Sequence, residues 1–321
     1  MSRIRFFLIF TVFTVFGAVA LTGCSEDTPQ KPIRIGTNVW PGYEPLYLAR
    51  DTGLYDKSRV QLVEYPSASG VIRALKSRSI EAAVLTLDEV LVLLQHQIPV
   101  RTVLVLDISH GGDVIIAKPN IKSFKDLQGK RVGVEGSALG AYVLSRALDI
   151  NAMSIDDIQV VQLEADEHER SYISDKVDAV VTFEPTRTAL LNAGGVEIFT
   201  SREIPGEVVD VLVIHEDAIA SSPDNVRHIT QGWFAALKRL ETTPQDSAAI
   251  IAQRLGSTAD EALASFEGLK LPDLAENKVL LGGEKPKLMS VASLLSKTMM
   301  ERDLLQNQID LHNLFDSSAL N

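Results

Sequence analysis

Short apolar, β-branched runs alternate with longer segments of helical period, and this alternation constrains the fold more than any other feature of the chain. It starts with the run 33–37, Ile-Arg-Ile-Gly-Thr, and a helical segment over 44–52 that ends before Gly53, the residue type favoured beyond a helix end. Such alternation is typical of βαβ units with a largely parallel sheet, so we predict an α/β fold. The further elements expected up to residue 108 are strands at 60–65, 82–85 and 100–108 and helices at 68–77 and 87–95.

A second α/β set follows the sequence Ser-His-Gly-Gly-Asp at 109–113, whose two glycines suit a crossover where backbone torsions change. The apolar run 208–215 could be a strand that returns to the first set, and the chain after it is almost wholly helical. The pattern predicts two α/β lobes joined by two crossings, with a ligand cleft between them and a helical C-terminal tail. We assign 33–109 to the first part of lobe 1, 110–215 to lobe 2 and 216–321 to the return into lobe 1.

Residues 1–23 have the features of a secretory signal. Arg3 and Arg5 precede an apolar or small stretch over 6–21. This stretch is brief for a membrane span, which needs ~20 apolar residues, and it runs directly into polar sequence. We therefore expect export from the cytoplasm.

Leu-Thr-Gly-Cys at 21–24 is similar to the lipobox of bacterial lipoproteins, in which the cysteine is diacylated and becomes the new N-terminus. Cys24 is the one cysteine of the sequence, so it cannot form an internal disulfide. The alternative is an ordinary small residue at the end of a signal. We predict lipidation of Cys24, a tether over 24–32, and a periplasmic or otherwise extracytoplasmic protein anchored to a bacterial membrane.

Charge and motif content exclude several function classes. The chain has 31 Lys and Arg against 42 Asp and Glu, a net charge of −11, which argues against a nucleic-acid surface. The sequence has no H-E-x-x-H, no G-x-S-x-G, no P-loop and no paired-cysteine metal signature. Asp107, His110 and Asp113 could be imagined as a metal cluster, but they fall at the expected crossing. We predict a protein that is not an enzyme, with no cofactor and no metal.

Several segments resemble one family of substrate-binding proteins, the nitrate, sulfonate, taurine and thiamine-precursor group of ABC-importer receptors. Asn-Val-Trp-Pro-Gly-Tyr-Glu-Pro-Leu-Tyr-Leu-Ala at 38–49, followed by Gly-Leu-Tyr at 53–55, is similar to the opening of that family. Ser-Phe-Lys-Asp-Leu-Gln-Gly-Lys-Arg-Val-Gly-Val at 123–134 is similar to its entry into the second lobe. Phe-Glu-Pro at 183–185 and the stretch 271–283 extend the likeness.

This resemblance implies the type II periplasmic-binding-protein fold, with the ligand held between the lobes and an ABC permease with its ATPase as partners. Reasoning from the residues places a site in the same region. In open α/β sheets the strand-to-helix loops converge on a crevice, where helix N-termini present unpaired N–H groups and partial positive charge. Domain closure then converts ligand binding into a shape that a partner can recognise.

Three candidate ligand-binding residues follow the first predicted strand. Trp40 could stack on a flat ligand or enclose a small one, although core packing and a hinge plug are alternatives. Tyr43 could do the same or could already begin the helix. Asn38 could donate to or accept from the ligand, and it is also an ordinary turn residue.

Polar helix starts after the next two strands supply further candidates. Ser67, Ser69 and Gly70 offer hydroxyl and N–H groups that can hold an anion or a carbonyl, as any N-cap would. Thr86 and Asp88 occupy the matching position after the third strand, and Asp88 is better explained as a cap than as a ligand contact.

In lobe 2, Ser137 and Ala138 open a helix and offer backbone donors. Glu184 should project near the cleft, and it could instead form a surface ion pair with Arg187. Asp113 lies beside the Gly-Gly crossing. Like Glu184, it could either contact the ligand or have a structural role.

Acidic residues outnumber basic ones around these loops. Arg187 is the basic residue that we place nearby. A buried oxyanion would need positive charge or many N–H donors. The excess of acidic residues therefore favours an aromatic or amine-bearing nutrient, such as a pyrimidine thiamine precursor, over nitrate or sulfonate. Helix N-termini alone can bind an oxyanion, which leaves that class open. The acids expected near the cleft rim are Glu44, Asp88, Asp113, Glu135, Glu164, Asp166 and Glu184.

The predicted function is capture of a small nutrient between two lobes and its delivery to an ABC importer. One alternative is a sensory lipoprotein that uses the same cleft to signal to a membrane receptor without transport. An exported α/β enzyme is a second.

Overall fold

Lobe 1 is built on a six-stranded mixed sheet. The computed structural model describes residues 31–321, and the strand order in this sheet is β11-β4-β10-β3-β1-β2. β1 pairs in parallel with β2 and β3, whereas β10 runs antiparallel between β3 and β4. The strands are β1 (Ile33–Thr37), β2 (Val60–Glu64), β3 (Ala82–Thr86), β4 (Val100–Ser109), β10 (Val209–His215) and β11 (Leu269–Lys270).

Lobe 2 has a five-stranded sheet of order β7-β6-β8-β5-β9. β6 is parallel to β7 and β8, while β5 is antiparallel to β8 and β9. Most strands of each sheet share one direction, as the predicted largely parallel sheet requires. The sheets are nevertheless mixed, because β5 and β10 enter them by short crossings without a helix that would restore the direction. The strands are β5 (Val114–Ala117), β6 (Arg131–Glu135), β7 (Gln159–Leu163), β8 (Ala179–Thr182) and β9 (Val196–Thr200).

Helices follow most of the strands and begin where the sequence provides caps. The Ser67 hydroxyl accepts a hydrogen bond from the Gly70 N–H at 3.2 Å, and the Glu89 carboxylate accepts one from the Thr86 N–H at 3.0 Å. The helices of the two sheets are α1 (Glu44–Asp51), α2 (Ala68–Lys76), α3 (Leu87–Gln95), α4 (Ala138–Ile150), α5 (His168–Ile173) and α6 (Thr186–Asn192). The tail contains α7 (Glu216–Ser221), α8 (Pro223–Thr242), α9 (Pro244–Leu255), α10 (Ala259–Ala264), α11 (Leu274–Leu281) and α12 (Leu288–Glu301).

The chain passes twice between the lobes, and the two crossings are hydrogen-bonded to each other. Ser201 Oγ lies 2.8 Å from Ser109 Oγ and accepts a hydrogen bond from the Gly111 N–H at 2.6 Å. Gly111 has a φ of 112°, a conformation that favours glycine. The second crossing ends before β10, which pairs within the first sheet. The sequence-based boundary at 215, which put this strand in lobe 2, is therefore wrong, because the run returns to lobe 1 before it forms its strand.

The C-terminal tail packs on lobe 1. The Asn277 side chain accepts from the Val105 N–H at 2.8 Å and donates to the Val105 carbonyl at 3.1 Å, and Phe315 bridges to Thr102. No helix within residues 31–321 combines the length and apolar character needed to cross a bilayer. The predicted signal and Cys24 lie outside the described residues.

Candidate functional site

A small cavity of ≈ 20 Å³ lies where the two lobes meet, at the ends of the strands. Parallel strands of each lobe end here, so their following loops converge, as expected for an open α/β sheet. The crossing after β4 and the return strand β10 complete the wall. The lining residues are Asn38, Trp40, Tyr43, Ala68, Thr86, Glu89, Asp113, Glu135, Leu139, Phe183 and Asp210.

Trp40 forms one side of this cavity and joins the two lobes. Its Nε1–H donates to Asp107 Oδ2 at 3.0 Å, and its ring meets Phe183 of lobe 2 edge to face at 5.5 Å. Gly42 permits this arrangement, because a Cβ there would lie 1.9 Å from Asp107 Oδ2 and 2.5 Å from Trp40 Nε1. The indole is thus held by a hydrogen bond in lobe 1 and by an aromatic contact in lobe 2.

Asp107 and Asp210 face each other across neighbouring strands beneath Trp40. The two residues are register partners in the β4–β10 pairing, and the Tyr43 hydroxyl donates to Asp210 Oδ1. Burial raises the pKa of Asp107 to about 7, and burial together with Asp107 raises the pKa of Asp210 well above its usual range. Ionising both of two neighbouring buried carboxyl groups costs much free energy, so we treat Asp107 and Asp210 as a pair that holds a proton near neutral pH.

The N-terminus of α2 is in contact with carboxylates of lobe 2. The Ser69 N–H and hydroxyl donate to Glu135 Oε1 at 3.1 and 3.3 Å, and the Ser67 hydroxyl donates to Glu164. Arg73 approaches Glu164 at 3.8 Å. These hydrogen bonds connect the lobes and occupy donors that a bound oxyanion would otherwise use.

Acidic side chains at the start of α3 and at the first crossing are buried together. Burial raises the pKa of Glu89 to about 8, of Asp88 to about 7 and of Asp113 to about 6. Glu89 Oε1 and Asp113 Oδ2 have no hydrogen-bond partner among the described residues. Burial, and after it proximity to Glu89, likewise raises the pKa of Glu135 to about 7.

The predicted site residues divide into those that line the cavity and those that do not. Asn38, Trp40, Tyr43, Thr86 and Asp113 line the cavity. Ser67 and Ser69 instead contact lobe 2, Gly70 lies in the first turn of α2, and Asp88, Ser137 and Ala138 lie beside the cavity wall without lining it.

Two predicted acids are turned elsewhere. Glu184 pairs with Arg187 at 3.0 Å and accepts from the Thr188 N–H at 3.1 Å, so it caps α6 and does not line the cavity. Glu44 is fully buried against Arg254 and lies outside the cavity lining, because the helix α1 turns its side chain toward the tail.

Sequence reasoning missed Glu89, Leu139, Phe183, Asp107 and Asp210 as site residues. The sequence pattern indicated Phe183 only as part of a motif and Glu135 only as an acid near the expected cleft rim. A signal existed for Asp107 and Asp210, since each is an acid inside an otherwise apolar strand run. Within residues 31–321, no group of three or more His, Cys, Asp or Glu side chains is arranged to hold a metal ion.

Comparisons with known proteins identify the fold. The alkanesulfonate-binding protein SsuA from Xanthomonas axonopodis pv. citri superposes with a TM-score of 0.75 at 17% identity, covering 87% of this chain and 96% of that one. The desulfurization enzyme DSZB superposes with a TM-score of 0.66 at 15% identity, covering 91% and 98%. The periplasmic-binding-protein fold expected from the sequence is thus confirmed, and this fold also occurs in an enzyme.

Sequence relatives agree with the resemblance to the nitrate, sulfonate and taurine group. The taurine-binding periplasmic protein of Escherichia coli (strain K12) is 22% identical over 191 residues, which are 57% of this chain and 59% of that protein. The chain spans about half the length of the curated relatives it matches. The model of the NMT1-like family matches residues 26–256, more than half of the chain, and the protein therefore belongs to the NMT1-like family.

Proposed function

We propose that this protein is an extracytoplasmic solute-binding protein that encloses a small molecule between its lobes and delivers it to an ABC importer. The observation that carries the proposal is the cavity at the lobe interface, where Trp40 of lobe 1 meets Phe183 of lobe 2. The solute-binding functions of the taurine-binding and alkanesulfonate-binding relatives support it. Lipidation at Cys24 would keep such a receptor beside its permease.

Capture requires the lobes to separate, because the closed cavity of ≈ 20 Å³ admits about one water molecule. The paired crossings at Ser109 and Ser201 provide the place where the backbone can bend. The Trp40–Phe183 contact and the Ser69–Glu135 hydrogen bond exist when the lobes are together, so a ligand that adds contacts to both lobes favours closure. The permease would then recognise the closed form.

Replacing Trp40 with alanine is expected to weaken solute binding by about thirtyfold, the effect of about 2 kcal/mol that truncating a central aromatic residue has in a binding site. The compound that co-purifies with the full-length protein in detergent would be identified by mass spectrometry and titrated by calorimetry. Small-angle scattering of the same samples should show a more compact particle when the compound is bound.

Phe234→Ala is the matched control, because Phe234 lines a groove on the tail and not the cleft. It should bind the compound as the unchanged protein does. Unaltered affinity in the Trp40 variant, or scattering profiles that no solute changes, would contradict the proposal. Turnover of the bound compound would instead support the catalytic alternative that the fold of DSZB illustrates.

A further inference from the structure

The wall of the cavity is acidic and holds no fixed positive charge among the described residues. Glu89, Asp113, Glu135 and Asp210 line it, and neither lysine nor arginine does. Asp107 adjoins the wall through Trp40. A buried group of carboxyl side chains has a large unfavourable self-energy unless a cation or protons compensate it.

Two of these lining side chains each carry a carboxylate oxygen without a hydrogen-bond partner. Glu89 is 1% exposed and Asp113 is 3% exposed, and within residues 31–321 neither Glu89 Oε1 nor Asp113 Oδ2 has a hydrogen-bond partner. Buried polar atoms are nearly always satisfied, so each unsatisfied oxygen calls for a donor. Because the two come from different elements around one small space, a single ligand could supply N–H groups to both.

The N-terminal donors of α2 and α3, which could hold an anion, are already used. Glu135 Oε1 accepts from the N–H and hydroxyl of Ser69 at the start of α2, and Glu89 Oε2 accepts from the Thr86 N–H at the start of α3. A sulfonate or nitrate would therefore have to displace a carboxylate from these helix ends and then remain beside it. The positive ends of α2 and α3 are thus compensated within the protein.

Basic side chains around the cleft are engaged elsewhere. Arg73 pairs with Glu164 at the rim, and Arg187 pairs with both Glu184 and Glu197. Arg202 lies over Gly111 at the crossing and does not line the cavity.

The ring of His168 lies edge to face with Phe183 at 6.3 Å. Burial lowers the pKa of His168 to about 4, so this ring is neutral at physiological pH. The His168 ring therefore does not compensate the negative charge of the carboxyl groups.

We propose that the cleft selects a small organic cation with at least two N–H donors, an ammonium, amidinium or guanidinium compound. Asp113 and Glu89 bind its N–H groups, and the rings of Trp40 and Phe183 enclose its apolar part. Aromatic faces attract cations, so the same walls suit both portions of such a ligand. The inference rests on the proposed solute-binding function and narrows its substrate to a charge class opposite to that of an alkanesulfonate.

A matched set of probes tests the charge class directly. The full-length protein in detergent is incubated at pH 8 with equimolar alkylammonium, alkylguanidinium, alkanesulfonate and alkanol compounds of two to six carbons, and the retained species are read by native mass spectrometry. We expect ammonium or guanidinium compounds to be retained at least tenfold better than the sulfonate of the same chain length. Equal or better retention of the sulfonate or alkanol, or retention of none of the probes, overturns the inference.

Isosteric variants separate the two proposals. Asp113→Asn and Glu89→Gln should each weaken cation binding at least tenfold, while Asp260→Asn, an exposed residue on α10, should leave it unchanged. Trp40→Ala should weaken the binding of any solute, whatever its charge. If the Trp40 variant loses binding while the two carboxamide variants keep full cation affinity, the cleft binds solute but the charge assignment is wrong.

Discussion

Replacing Arg254 with methionine is expected to lower the free energy of unfolding by about 3–5 kcal/mol, the usual cost of removing one partner from a buried ion pair. Arg254 Nε donates to both carboxylate oxygens of Glu44 at 2.9 Å, and the Glu44 side chain is fully buried. The guanidinium also lies 3.6 Å from the centre of the Tyr47 ring. Methionine keeps the length of the side chain but leaves the carboxylate without its donors.

The reason is the desolvation of Glu44. Burial already raises its pKa even though Arg254 opposes that shift. Without Arg254 the carboxyl group must stay charged in an apolar environment or take up a proton, and both cost free energy at pH 7. The loss should therefore be smaller at pH 5 than at pH 7.

Chemical unfolding measures this effect, and two variants act as controls. Arg78→Met removes an exposed pair with Asp217 and should cost about 1 kcal/mol or less. The double variant Glu44→Gln with Arg254→Met should recover much of the loss, since it removes the buried charge. An Arg254 variant no less stable than the Arg78 variant would show that the pair contributes little.

Local patterns in the sequence were sufficient to predict most of the elements and which loops meet between the lobes. Strand runs such as 33–37 have a length and apolar content that depend on their own residues, and the Gly-Gly pair marked the crossing because Gly111 needs a positive φ. Trp40 and Thr86 were expected beside the cleft because they follow strands whose ends converge, and both line the cavity.

Tertiary pairing decides what these local patterns leave open. β10 has the same apolar pattern whichever sheet it joins, and its two neighbours in lobe 1 settle its place. Asp107 and Asp210 reach the site from inside their strands by cross-strand register, so a search of strand-to-helix loops could not find them. Glu44 shows the converse, because its position after β1 suggested the cleft, yet its partner is Arg254, 210 residues away in the chain.

Raising the pH from 6.5 to 8.5 is expected to destabilise the ligand-free protein by about 3 kcal/mol, with a fall of roughly 5 °C in its melting temperature. Burial raises the pKa of Asp88 and Asp107 to about 7 and that of Glu89 to about 8. Between the unfolded and folded pKa values of such a group the folded state holds a proton that the unfolded state has released. Stability therefore declines as the pH rises through this interval, and the decline is complete above the folded pKa.

The chosen interval separates these acids from other titrating groups. The lowered pKa of His168 makes stability rise with pH, but that effect ends near pH 6.5, where an unfolded histidine loses its proton. The Arg34 and Arg131 partners, Glu81 and Asp178, have lowered pKa values, so their contributions are lost only below about pH 4.

Thermal melts at constant ionic strength across this interval, repeated with Glu89→Gln, check the prediction. The variant lacks Glu89, whose pKa is raised to about 8, above those of Asp88 and Asp107. It should show a shallower decline and a higher melting temperature at pH 8.5 than the unchanged protein. An alkylguanidinium compound that binds the cleft should flatten the decline further, since its charge compensates the carboxylates that ionise. A melting temperature that is constant between pH 6.5 and 8.5 would mean that these carboxyl groups are ionised or solvated at little cost, and the physical basis for cation selection would then be lost.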